Sequence, residues 1–152
     1  MSFTSVIIRK AEPFDINQMV GLLKELFSIE EDFTFREPLQ RSGLAMMVDS
    51  HDNRCIMVAA TEERIIGMCS AQLLVSTAQG GVAALIEDMA VTQEYRGQGI
   101  GGKLLFSIEK WANKQGAKRV QLLADKNNSL AIDFYKKHNW TTTQLVCLRK
   151  NY

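Results

Sequence analysis

The residues best suited to chemistry in this 152-residue chain stand in one run, Gly97-Gln98-Gly99-Ile100-Gly101-Gly102-Lys103-Leu104, which opens into an apolar helical period. Glycines let backbone amides approach a ligand, and a helix N-terminus adds free N–H groups and a positive dipole end, so the run suits a pyrophosphate. On letters alone it satisfies both Gly-x-Gly-x-x-Gly and Gly-x4-Gly-Lys, and only the surroundings separate those readings. Leu104 stands where an ATP-binding loop needs a hydroxyl for magnesium, which counts against that reading. A dinucleotide site would have Asp125 as a ribose acceptor, but its fold begins with repeated parallel strand–helix units, whereas this chain predicts an antiparallel meander first. Ahead of the run, Glu87 and Asp88 stand as two adjacent carboxylates after an apolar stretch. Alternation along a strand sends Asp88 to the face opposite Glu87. Neither His51 nor His138 has a spaced carboxylate or cysteine partner, so no metal ligand set is predicted.

The elements that must position these groups follow from periodicity. Residues 6–9 form a short β-branched run, and Asp15 with Gln18 resembles a capping box ahead of Ile16, Met19, Val20, Leu23, Leu26 and Phe27 at helical spacing. A weaker period at Leu39, Leu44, Met47 and Val48 predicts a short second helix. Apolar runs at 55–60, 65–75 and 82–91, separated by polar breaks, predict three strands in an antiparallel meander. The glycine run then starts a helix whose apolar face is Leu104, Leu105, Ile108, Trp111 and Ala112, with Gly116 just past its end. Residues 119–124 predict a strand, Ala131, Ile132 and Tyr135 a helix reaching Asn139, and 140–150 a closing strand.

Arg96-Gly97-Gln98-Gly99-Ile100-Gly101 resembles the Arg/Gln-x-x-Gly-x-Gly/Ala signature of the GNAT superfamily of acyl-CoA-dependent N-acyltransferases. Leu85-Ile86-Glu87-Asp88-Met89-Ala90-Val91 looks like that family's acceptor-side strand, and Asn128-Ser129-Leu130-Ala131-Ile132-Asp133-Phe134-Tyr135 resembles its second signature, Asn-x-x-Ala-x-x-Phe-Tyr. The order of elements agrees over essentially the whole chain. The resemblance implies a mixed α/β fold: a mostly antiparallel sheet of six to seven strands flanked by about four helices, with two parallel strands splayed for acetyl-CoA. It implies pantetheine pairing with backbone groups of Met89, Ala90 and Val91, an edge-addition mode of binding. It further implies pyrophosphate on the amides of Gly97, Gln98, Gly99, Ile100, Gly101 and Gly102, with Arg96 adding charge and Asn128 touching the pantetheine or capping the last helix. Direct transfer of an acetyl group to a primary amine is the implied reaction, with Glu87 as base, directly or through water, and Tyr135 as acid. Asn139-Trp140 stands where many members have Gly-Phe, and asparagine tolerates the same left-handed conformation.

The acceptor is read in that family by variable segments. Here the segment 29–37 is acidic and aromatic, and the Leu-Ile-Glu-Asp strand is similar to that of spermidine/spermine-type enzymes, which implies a small primary amine, with a peptide or protein amino group as the next choice. A non-catalytic acyl-CoA sensor would be expected to lose the base or acid positions. Composition narrows the partners. A net charge of +1, from 18 basic and 17 acidic residues, supplies no field for nucleic acid or an anionic membrane. The short apolar runs predict no membrane span, and the N-terminus lacks a leader pattern. Cys55, Cys69 and Cys147, lacking Cys-x-x-Cys spacing, are expected as reduced thiols packed in strands of a cytoplasmic protein. A single domain over 1–152 is expected, and a homodimer is compatible with a closing strand completed by a second copy.

Overall fold

The computed structural model describes residues 4–30, 32–49 and 52–152. Its elements are β1 (Ile7–Lys10), α1 (Ile16–Phe27), α2 (Glu37–Val48), β2 (Arg54–Ala60), β3 (Ile65–Ser76), β4 (Gly81–Val91), α3 (Ile100–Lys114), β5 (Val120–Leu122) and α4 (Ser129–Lys137). Two compact units divide them, one ending at Gln121 and one beginning at Leu122.

The first unit is organised by one sheet, whose strands run in the order β1-β2-β3-β4-β5. Its first four strands are antiparallel neighbours, as the three apolar runs and their polar breaks predict. On the far side, Lys118 N donates to Val82 O at 2.9 Å and Ala84 N to Arg119 O at 2.8 Å. The two bonds climb both segments in the same sense, as parallel neighbours do, which makes the sheet mixed. Burial is continuous through most of β2 and the first half of β3, the pattern of strands covered on both faces. On one face Met19, Val20, Leu22 and Leu23 of α1 join Leu44 of α2 against Ile56, Val58, Ala60, Ile65 and Met68. On the other, Leu104, Leu105 and Ile108 of α3 are fully buried. Gly67 belongs to that second contact: a Cβ there would meet Leu104 Cδ1 at 3.0 Å and the Ala90 carbonyl at 3.1 Å.

Helix ends follow local chemistry. Gly116, at φ 90°, stops α3 while Ala117 N reaches Ala112 O and Gly116 N reaches Asn113 O, the two bonds of a Schellman motif. Asp15 and Gln18 do not cap α1 as their spacing suggests. Asp15 is buried and accepts from Arg9 Nη1 and Nη2 at 2.7 and 3.0 Å and from Glu12 N at 2.7 Å, while Gln18 Oε1 accepts from Ile65 N at 2.7 Å. Both side chains tie the helix start to β1 and β3, and the hydrogen bond from Arg9 holds the Asp15 carboxyl below the usual carboxylate range.

In the second unit, α4 ends as expected on a left-handed Asn139 at φ 71°, with Trp140 N donating to Tyr135 O. The closing strand does not form. Residues 141–152 hold no regular element, so the sheet has five strands rather than six to seven. Leu145, Val146 and Leu148 are 86%, 82% and 91% exposed, and a β-prone segment becomes a strand only when a neighbour accepts its ladder. Cys147 is accordingly exposed and not in a strand, while Cys55 and Cys69 are buried in β2 and β3 as expected. Burial pushes the Cys55 thiol up to about 11 and the Cys69 thiol higher still, which leaves both unreactive near neutral pH.

Candidate functional site

Glu87, Met89, Ala90, Val91, Arg96 and the glycine run lie on one continuous stretch of the first unit, from the end of β4 to the start of α3. The register between β3 and β4 slips within this stretch: Met68 faces Ala90, yet Ser70 faces Glu87, so β4 carries one extra residue. Asp88 absorbs it at φ 53°, a left-handed conformation that Asp tolerates better than most side chains. Simple alternation therefore stops at this bulge, and the two adjacent carboxylates are not set on opposite faces by strand geometry alone.

The bulge also decides which backbone groups point outward. Thr92 N donates to Ile66 O at 2.9 Å and Ala90 is registered with Met68, so Ala90 and Thr92 direct their polar backbone to β3. Val91 alternates with them and turns its own to the opposite edge, where its carbonyl accepts from Arg96 Nε at 2.8 Å. Of the three residues expected to pair with pantetheine, Ala90 is thus committed to the sheet.

Two carboxylates at the bulge differ in surroundings. Glu87 is exposed, and its carbonyl accepts from the buried Ser70 Oγ at 3.0 Å. Asp88 is half-buried. Burial pushes its carboxyl up to about 6, and Glu87 and Glu30 add to the rise through their charge. Glu30, from the acidic segment after α1, is thereby placed within electrostatic reach of the bulge; Glu31 of that segment lies outside the described residues.

The glycine run does what its composition predicts. Gly97 and Gly99 sit at φ 75° and 80°, and Gly99 is the N-cap of α3. The first intrahelical bond is Lys103 N to Gly99 O, at 3.2 Å, so the amides of Ile100, Gly101 and Gly102 have no partner within the helix. Two of the three carry no side chain, and Ile100 turns its own into the core, which leaves the amides open to an anion. Gly99→Ala is expected to cost about 1–2 kcal/mol from backbone conformation, because the space around a Cβ there is open. Thermal unfolding followed by circular dichroism should show a midpoint lower by about 2–8 °C.

Arg96 is exposed, yet its guanidinium is engaged by the protein's own groups. Its Nε donates to Val91 O at 2.8 Å and its Nη2 pairs with Glu25 at 3.3 Å. Gln98 Nε2 folds back toward Glu94 O at 3.4 Å. Glu25 is a residue that sequence reasoning missed, since it lies 71 positions from Arg96 on the polar side of α1 and no local pattern singles it out.

In the second unit, Asn128 caps α4 by accepting from Ala131 N at 3.1 Å, one of its two expected roles. Tyr135 is half-buried and packs edge-on to Phe134, with ring centroids 5.1 Å apart, and against Trp140 at 5.7 Å. His138 Nδ1 lies 2.8 Å from Phe134 O, and His51 is outside the described residues. No cluster of three or more metal-ligating side chains occurs among the described residues, nor is any helix among them long and apolar enough to cross a membrane.

Comparison with known proteins accounts for this arrangement. The thialysine N-epsilon-acetyltransferase of Sus scrofa is 29% identical over 143 residues, covering 87% of this chain and 82% of that protein. A transcriptional regulator of Bacillus halodurans C-125 superposes with a TM-score of 0.83 at 26% identity, covering 97% of this chain and all of that one. Aminoglycoside N-acetyltransferase AAC(6')-Iy, solved in complex with CoA, shares the fold at a TM-score of 0.84 and 14% identity, covering 99% of this chain and 97% of that one. The model of the acetyltransferase (GNAT) family matches residues 20–140, most of the chain and all of the stretch just described, and the chain belongs to that family.

Proposed function

We propose that this protein transfers the acetyl group of acetyl-CoA to a small primary amine. The observation that carries the reading is the joining of two features on one stretch between Glu87 and Gly102: an acidic bulge at Glu87–Asp88 and a helix opening with three amides unpaired within the helix. The residues fit the cosubstrate. The amides of Ile100, Gly101 and Gly102 would hold the pyrophosphate, together with the backbone from Gly97, and the backbone of Met89 and Val91 would pair with the pantetheine arm. Acetyl-CoA supplies an acyl group activated as a thioester. Glu87, directly or through one water, removes the proton that an ammonium carries at neutral pH, and Tyr135 donates a proton to the departing sulfur. The backbone N–H of Met89 would polarise the thioester carbonyl. Acidic groups at Glu30, Glu87 and Asp88 favour a cationic acceptor, in keeping with relatives named for thialysine and aminoglycosides.

Asp88 supports a second assignment of the base, because a carboxyl at about 6 is closer to neutral pH than an ordinary carboxylate and so better matched to proton transfer. The short apolar runs and reduced thiols fit a cytoplasmic enzyme acting without a metal.

Thermal unfolding in the presence of acetyl-CoA, CoA, NAD and Mg-ATP tests the reading. At 100 times its dissociation constant a ligand adds about 2.7 kcal/mol, or about 5–11 °C for a chain of this size. A shift with the two CoA species alone, followed by CoA thiol release on adding diamines or aminoglycosides, is the expected result. A response to NAD or ATP without one to CoA would overturn it.

A further inference from the structure

The connection between β4 and α3 is held by one side chain from a distant helix. Glu25, near the end of α1, accepts from Thr92 Oγ1 at 3.2 Å, from Gln93 N at 3.0 Å and from Arg96 Nη2 at 3.3 Å. Arg96 passes the constraint back to the strand through its 2.8 Å bond to Val91 O. From the other side Arg64 pairs with Glu94 at 2.8 Å and lies over the Tyr95 ring, 5.7 Å from its centroid. The connection is therefore short, braced on both sides, and bounded by the two places where the protein meets acyl-CoA in the reading above: the outward backbone at Val91 and the glycine run at Gly97.

We propose that Glu25 is a positioning residue for acyl-CoA binding, and that Arg96 serves this brace rather than contacting phosphate. This rests on the acyl-CoA reading of the site. The argument is one of preorganisation. Pantetheine and pyrophosphate belong to one ligand, so binding both demands a fixed separation and angle between the β4 edge and the first amides of α3. A mobile connection would have to be ordered at the moment of binding, and that ordering costs affinity. Glu25 removes the cost in advance by fixing three donors on three residues of the connection with one carboxylate. An Arg96 already bonded to Val91 O and Glu25 has two of its guanidinium nitrogens committed to those partners, and so keeps the end of β4 from fraying.

The test combines isothermal titration with CoA and steady-state kinetics on the full chain, at a temperature where circular dichroism shows every variant folded. Glu25→Ala is expected to raise the CoA dissociation constant and the acetyl-CoA KM about tenfold, leaving kcat and the amine KM within about twofold. Glu25→Gln keeps the acceptor oxygen and should recover most of that loss. Arg96→Ala should match Glu25→Ala, and the double variant should be no worse than the larger single one, because both remove the same brace. Losses that multiply in the double variant, or a tenfold loss in Arg96→Ala beside an unchanged Glu25→Ala, would show Arg96 acting on the ligand directly and overturn the proposal. A wild-type protein that fails to bind CoA would instead overturn the functional reading itself.

Discussion

Glu87→Gln is expected to lower the turnover of acetyl transfer to a small primary amine about 10²–10⁴-fold, the usual contribution of a positioned general base. The need is set by the acceptor: an amine with a pKa near 10 is only about one part in a thousand neutral at pH 7, a deficit of roughly 4 kcal/mol. Glutamine keeps the size and polarity of the side chain but cannot take the proton. Glu87 is exposed and outside the core, and the bond from Ser70 goes to its backbone, so the unfolding midpoint should hold within about 2 °C while activity falls. The deficit should also shrink as pH rises from 7 toward 9.5, where the amine loses its proton unaided. Steady-state rates of thiol release against pH, for the wild type and the variant, measure both effects. Full turnover in Glu87→Gln, accompanied by loss in Asp88→Asn, would move the base to the neighbouring residue.

Much of this site could be read from the sequence because its parts are local. The glycine run marks its own helix start, the three β-rich runs mark the meander, and Asn139 and Gly116 mark helix ends through the conformation they tolerate. Each is a short-range preference that the rest of the fold does not oppose. Residues with a tertiary use were misread. Asp15 and Gln18 have capping spacing, but an arginine on β1 and an unpaired amide on β3 compete for them and win. The reading that sets Asp88 opposite Glu87 is a different case: a period of two assumes an unbroken ladder, and one inserted residue removes that support without deciding the faces. Glu25 left no trace, since its three partners are 67 to 71 positions away. The segment 140–150 has the composition of a strand, yet strand formation depends on a partner that composition does not contain.

The bulge has a thermodynamic signature of its own. Asp88 titrates at about 6 in the folded protein against about 3.9 in an unfolded chain, so between these values the folded state holds more of the proton. Stability therefore falls as pH rises from about 4 to 6, by up to about 3 kcal/mol, and stays reduced above that range. The sign is opposite to that of Asp15, whose lowered carboxyl adds stability that is lost only as pH drops below the ordinary carboxylate range. Asp88→Asn removes the titration while keeping a side chain able to occupy a positive φ. The variant is expected to gain most over the wild type at pH 7–8 and least at pH 4, and the difference between their urea-unfolding free energies should rise across about pH 4–6 and level off above it. A constant difference across pH 4–8, or a variant less stable at pH 8, would mean that the carboxyl is not desolvated at the bulge. The wild type keeps a charged group at Asp88, within electrostatic reach of Glu87 and Glu30, at the expense of stability at neutral pH.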